Sequence, residues 1–189
     1  MRAVILGGTF NPVHYGHLFV AEDVRTSLGY DTAIFVPTNQ PVHKNPAPVL
    51  SPIHRLAMLR LAVAARENVI VDSAEIERGG FSYSIETVAD LIPRYGIVGK
   101  PGFVIGDDLV AGFPTWKNVE ELVGIVDLIV ARRILAGPVQ LPYPHRTVMN
   151  TVLPISSSEI RERISEGRTV RYLLPDAVLA YIGEHKLYG

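Results

Sequence analysis

The chain has no cysteine. That excludes a disulfide framework and any thiolate nucleophile or thiolate metal site, and it fits a reducing compartment. Long apolar runs are missing too, so no stretch reads as a membrane span. The N-terminus passes directly into a strand pattern without a signal-peptide signature, which makes the cytoplasm the expected location. Charge of one sign is also absent: 18 Lys and Arg against 19 Asp and Glu leave a net charge of -1, so bulk attraction to nucleic acid is not expected. A polyanion must therefore be held locally. No Gly-Lys-[Ser/Thr] turn occurs, since Gly99-Lys100 is followed by Pro101, and this removes a P-loop kinase. No carboxylate cage for a dedicated metal is visible either.

What the chain does have is alternation. Strand-like runs at 3–7, 32–37, 69–73, 102–106, 127–131 and 147–152 alternate with helical patterns near 17–28, 52–66, 84–94, 117–124, 157–166 and 175–186. Such an order predicts an α/β fold: a doubly wound, mostly parallel sheet with helices on both faces. Right-handed crossovers bring the strand C-terminal ends to one edge, where ligands bind at the topological switch point. With 189 residues and no linker, the expected organisation is a single domain, 1–189, whose last helical pair from about 156 forms a small appended layer.

The stretch with most chemistry is Gly7-Gly8-Thr9-Phe10-Asn11-Pro12-Val13-His14-Tyr15-Gly16-His17, set between the first strand and the first helix. Glycines let a phosphate approach the backbone, and a helix N-terminus supplies free N–H groups and a positive dipole end. His14 and His17, three residues apart, can converge on one small volume. A second helix start lies at Ile155-Ser156-Ser157-Ser158-Glu159-Ile160-Arg161, where Ser156 and Glu159 match a capping box. Capping leaves Ser157, Ser158 and Arg161 unexplained.

Three further stretches carry a functional and a plain structural reading side by side. Pro37 to Pro48 is too rich in proline for regular structure and contains a single cation, Lys44, which is either a solvated side chain or part of an active-site loop. Ser82-Tyr83-Ser84 opens a helix, with Ser84 read as its N-cap. Gly106-Asp107-Asp108 closes a strand and precedes Trp116; the aspartate can accept from ribose hydroxyls or merely cap a turn, and the indole can stack a flat ring or fill the core. The helix at 52–66 reads as scaffold through Leu56, Leu59, Ala62 and Val63.

Together these stretches resemble the HxGH nucleotidyltransferases, and within them the nicotinate mononucleotide adenylyltransferases. The matching patterns are G-[GS]-[TS]-F-x-P-x-H-x-G-H from Gly7, an H-K pair at Lys44, S-Y-[TS] at Ser82, G-x-D-x-[LF]-x-x-[LF]-x-x-W from Gly106, and I-S-[ST]-[ST]-x-[IL]-R from Ile155. The chain departs from the usual residues at Asn11, Ser84 and Asp107. The resemblance implies a Rossmann-like fold and transfer of the adenylyl group of ATP to nicotinic acid mononucleotide, giving nicotinic acid adenine dinucleotide and pyrophosphate. It also implies His14, His17, Lys44 and Arg161 as catalytic residues. ATP would lie on Gly7, Gly8, Thr9, Phe10, Gly106, Asp108, Ile155, Ser156, Ser157 and Arg161, and the mononucleotide on Ser82, Tyr83, Ser84 and Trp116. Mg²⁺ would arrive with ATP, and neither nucleic acid nor membrane is an expected partner. Nicotinamide mononucleotide or phosphopantetheine as the acceptor, and a nucleotide sensor without catalysis, are the alternatives; presence of both histidines and Arg161 argues against the last.

Overall fold

The computed structural model describes residues 1–40, 50–132, 139–149, 153 and 155–189. Among these residues the sheet contains six strands, all parallel, in the order β3-β2-β1-β4-β5-β6. These are β1 (Ala3–Gly8), β2 (Thr32–Pro37), β3 (Val69–Val71), β4 (Gly102–Gly106), β5 (Asp127–Arg132) and β6 (Arg146–Met149). The chain works outward from β1 to β3, then returns to the centre and works outward again from β4. The switch point is therefore between β1 and β4, where Leu6 stands beside Val104.

Why these runs form strands is visible in where alternate residues go. Val4, Leu6, Ala33, Phe35 and Val104 bury in one apolar cluster, while Ala3, Ile5, Ile34, Val36 and Phe103 bury in another on the opposite face. Both faces are covered, so the strands are apolar at every position rather than at every second one. Helices α1 (Tyr15–Ser27), α2 (Pro52–Val63), α6 (Ser157–Ser165) and α7 (Asp176–Glu184) pack on the first face through Val24, Leu59, Ile160 and Val178. Helices α4 (Ser84–Arg94) and α5 (Val119–Ile125) pack on the second through Val88 and Leu122.

The differences from the sequence reading are local. Helix α1 begins two residues before His17, at Tyr15, which makes His14 its N-cap. Tyr83, extended at φ -111° and ψ 123°, is the N-cap of α4, so Ser84 is the first helical residue and not the cap. Helix α2 stops at Val63 rather than continuing to 66, and β3 ends at Val71, where Asp72 accepts the Ala74 N–H at 2.7 Å and turns the chain into a short helix, α3 (Ala74–Arg78), whose N-cap is Ser73. That five-residue helix was absent from the sequence reading. It is too short to show a helical period. Strand β6 occupies 146–149; the remainder of the run expected to 152 falls outside the described residues.

Candidate active site

A cavity of about 800 Å³ opens over the C-terminal ends of β1 and β4. Each residue assigned above to catalysis, ATP or acceptor lines it, except Lys44, which lies outside the described residues. The two stretches from opposite ends of the chain meet on one wall. Arg161 Nη1 donates to the Asn11 carbonyl at 2.8 Å across 150 residues of sequence, and Ser157 Oγ donates to the Pro12 carbonyl at 2.8 Å across 145.

Local chemistry shapes the turn after β1. Thr38 N–H takes the Gly8 carbonyl at 2.9 Å, and Arg55 Nη1 takes the Thr9 carbonyl at 2.8 Å. Phe10 therefore sits between two carbonyls gripped by arginines, and its φ of 46° is a left-handed value that a phenylalanine keeps only where its surroundings impose it. Peptide planarity sets the Phe10 N–H antiparallel to the Thr9 carbonyl, so with that oxygen held on Arg55 the N–H points away from the guanidinium. Gly8 leaves room for packing: a Cβ there would stand 3.0 Å from the Phe10 ring, which would have to give by a few tenths of an ångström.

The imidazoles do converge. Their rings stack at 3.7 Å between centroids, and the Phe10 ring meets His17 edge-on at 5.1 Å. His14 is 3% exposed. The His14 N–H donates to His17 Nδ1 at 3.3 Å, so in the neutral ring the proton of His17 resides on Nε2. A Cβ on Gly16 would stand 3.0 Å from two atoms of the His14 ring, which makes this glycine part of how the pair is seated.

The late stretch behaves as a helix cap, but only by half. Ser156 Oγ accepts the Glu159 N–H at 3.1 Å; the Glu159 carboxylate pairs with Arg163 at 2.9 Å instead of reaching back to the cap. Arg161 Nη2 also donates within the same turn, to Ser158 Oγ at 3.2 Å. The N-termini of α1 and α6 thus open side by side onto the cavity, with a guanidinium between them, an arrangement suited to a polyanion.

The other end of the cavity is aromatic. Trp116 is half-buried, leaning on Phe113 at 5.0 Å and Phe103 at 6.2 Å, so it packs on the edge of the second apolar cluster and walls the cavity at once. Lys117 lies over the Tyr83 ring at 4.0 Å and pairs with Glu86 at 2.7 Å. Ser82 Oγ accepts the Asn39 N–H at 3.0 Å, which pins this motif to the end of β2. The α4 N-terminus adds a third helix dipole at this end. Exposed Asp108 lines the cavity beside Gly106.

A model of the cytidylyltransferase-like family matches residues 5–163. A curated relative from Borrelia hermsii, named "Probable nicotinate-nucleotide adenylyltransferase", is 44% identical over 188 residues, covering 100% of this chain and 98% of its own. The chain belongs to the nicotinate-nucleotide adenylyltransferases. Another relative of the same name, from Lactiplantibacillus plantarum, is 41% identical and covers 99% of this chain and 88% of its own. Among solved structures, the Plasmodium falciparum nicotinic acid mononucleotide adenylyltransferase complexed with NaAD superposes with a TM-score of 0.76 at 17% identity, covering 100% of this chain and 98% of that one. At that identity the likeness speaks for the adenylyltransferase fold alone.

Among the residues the sequence does not mark, Arg55 and Glu75 bear most directly on this adenylyltransferase site. Arg55 is fully buried in α2 and donates to the carbonyls of Thr9, Leu50 and Asn39 at 2.8, 2.9 and 3.2 Å. Burial pushes its pKa down, while Tyr188 and Glu75 draw it back up. So α2 is not plain scaffold. The available signal was phase: Arg55 is in register with buried Met58 and Leu59, a cation on an apolar face. Glu75 is 6% exposed and lines the cavity, accepting the Thr87 hydroxyl at 2.7 Å. No pattern in the acidic stretch distinguished it from its neighbours.

Proposed function

We propose that this cavity aligns nicotinic acid mononucleotide with ATP for adenylyl transfer. A phosphate oxygen of the mononucleotide attacks the α-phosphorus; the bond from that phosphorus to the bridging oxygen breaks, and pyrophosphate leaves. Nucleophile and leaving group are both competent, so the protein's task is alignment and charge stabilisation without a covalent intermediate. The His17 Nε2–H donates to the α-phosphate, and His14 supports the same charge. Phe10, Thr9 and Gly8 line the turn beneath the phosphates. Ser156, Ser157 and Arg161 hold the β- and γ-phosphates, and Lys44 is assigned beside them on sequence grounds.

The acceptor's ring lies at the aromatic end, on Trp116 and Tyr83, with Ser82, Ser84 and the α4 N-terminus toward its carboxylate; Asp108 takes a ribose hydroxyl. A volume of about 800 Å³ suits two nucleotides joined end to end. Among the described residues no group of three or more His, Asp or Glu side chains could hold a metal ion; in this proposal the cation is carried on the triphosphate. Mg²⁺ bound there would offset the charge of the departing pyrophosphate.

The single observation that carries this reading is the meeting of the two stretches, Arg161 on Asn11 and Ser157 on Pro12. The test is an acceptor panel with ATP and Mg²⁺, read by product mass. Nicotinic acid mononucleotide should give the dinucleotide and stoichiometric pyrophosphate. Product from phosphopantetheine or nicotinamide mononucleotide alone would change the acceptor, and ATP binding without any product would leave a sensor.

A further inference from the structure

We propose that Tyr188, one residue from the C-terminal end of the chain, is a positioning residue for the transfer: its hydroxyl holds Asn11, and through Asn11 the turn that carries Phe10 and His14. This rests on the function proposed above.

Asn11 is 5% exposed and lines the cavity. It is gripped at both of its oxygens from elements more than a hundred residues away. Tyr188 Oη donates to Oδ1 at 2.7 Å, and Arg161 Nη1 donates to the carbonyl at 2.8 Å. A carbonyl fixed alone would still let the side chain rotate; two fixed oxygens set the residue's orientation, and with it the path of the chain from Phe10 into the N-cap at His14. The arginine is already accounted for by its position among the phosphate-holding residues. Nothing about phosphate binding accounts for the tyrosine.

The tail is built to deliver this hydroxyl. Leu187 is 8% exposed in the apolar cluster of α1 and α7, and its N–H closes onto the Ile182 carbonyl at 3.0 Å. Lys186 and Tyr188 adopt left-handed φ values of 50° and 69°, which turn the chain sharply after α7. Among the described residues, the polar groups that face the phenol are Asn11, Arg55 and Arg161; burial raises its pKa, the two arginines lower it, and the net direction is upward. It therefore stays protonated and donating at neutral pH. The same arginines grip Thr9 and Asn11, so the phenol joins a cluster that braces the turn on both sides of Phe10.

A purely packing role makes a different prediction, because the ring packs and only the hydroxyl orients Asn11. The experiment compares full-length wild type, Tyr188→Phe, Asn11→Ala and the double variant, measuring kcat, KM for ATP and for nicotinic acid mononucleotide, and the thermal midpoint. Tyr188→Phe should lower kcat tenfold or more with both KM values within twofold and a midpoint within a few degrees. The double variant should be no slower than the slower single variant, since both break one contact. A kcat for Tyr188→Phe within twofold of wild type, or losses that multiply in the double variant, would overturn the assignment while leaving the function standing. A wild type that forms no dinucleotide would overturn both.

Discussion

His17 is the side chain whose chemistry is most constrained by its neighbours. Its Nδ1 accepts the His14 N–H and one face stacks on the His14 ring, which fixes the plane of the imidazole and, in the neutral form, puts its proton on Nε2. Removing one transition-state donor typically costs about 3 kcal/mol. His17→Ala should lower turnover about a hundredfold or more with an unchanged circular dichroism spectrum; near-normal turnover would remove His17 from the mechanism. Gly16 offers a sharper test of geometry, since a methyl group there adds no charge and deletes no donor. It would press on a His14 ring that is 3% exposed and stacked, and so has little room to give. Gly16→Ala should lose about tenfold or more in kcat, because a small displacement of a positioned group is enough to do so. Steady-state rates at saturating ATP would show it, and full activity would mean the histidine ring is free to shift.

Among the elements, α2 contributes most for the least sequence signal. Its Arg55 is a rigid fork spanning three carbonyls that belong to the glycine turn, the end of β2 and the start of its own helix. A lysine keeps the charge but is a point donor and cannot span all three. Arg55→Lys is expected to cost about 2 kcal/mol in a urea titration, from part-buried carbonyls left unpaired, and to lower kcat as the Thr9 carbonyl swings free. An unaltered urea midpoint would show that the fork is dispensable. Helix α6 is simpler: Ser156→Ala removes the cap bond to Glu159 and should destabilise by about 1 kcal/mol, while also weakening ATP binding through the lost hydroxyl. An unchanged KM for ATP would reduce Ser156 to a cap.

At the scale of the whole molecule, two phenols tie elements together and make stability fall in alkali. Tyr95 donates to buried Asp72 at 2.7 Å, and burial followed by that carboxylate pushes its pKa up to about 12 from 10.0; Tyr188 is also raised, chiefly by burial. The folded chain keeps protons that the unfolded chain gives up, so the stability these groups contribute is intact below about pH 10 and is lost as pH rises toward 12. The urea midpoint should decline across that window, and Tyr95→Phe should flatten part of the decline; a midpoint constant to about pH 11.5 would contradict it. The apolar runs, read in order, determined the six parallel strands, their two covered faces and the edge where ligands collect, because burial on both sides demands apolar residues at every position. Strand 32–37 and helix 84–94 match residue for residue. Spacing also marked the glycine turn and the late serines, since phosphate chemistry needs small residues and helix starts. What only the folded chain decided is which distant groups brace that turn: Arg55, Tyr188 and the start of α1 at a histidine cap. Their partners are backbone carbonyls and one carboxamide up to 177 residues away, and a carbonyl is present at every position, so no local pattern can mark the one that will be taken.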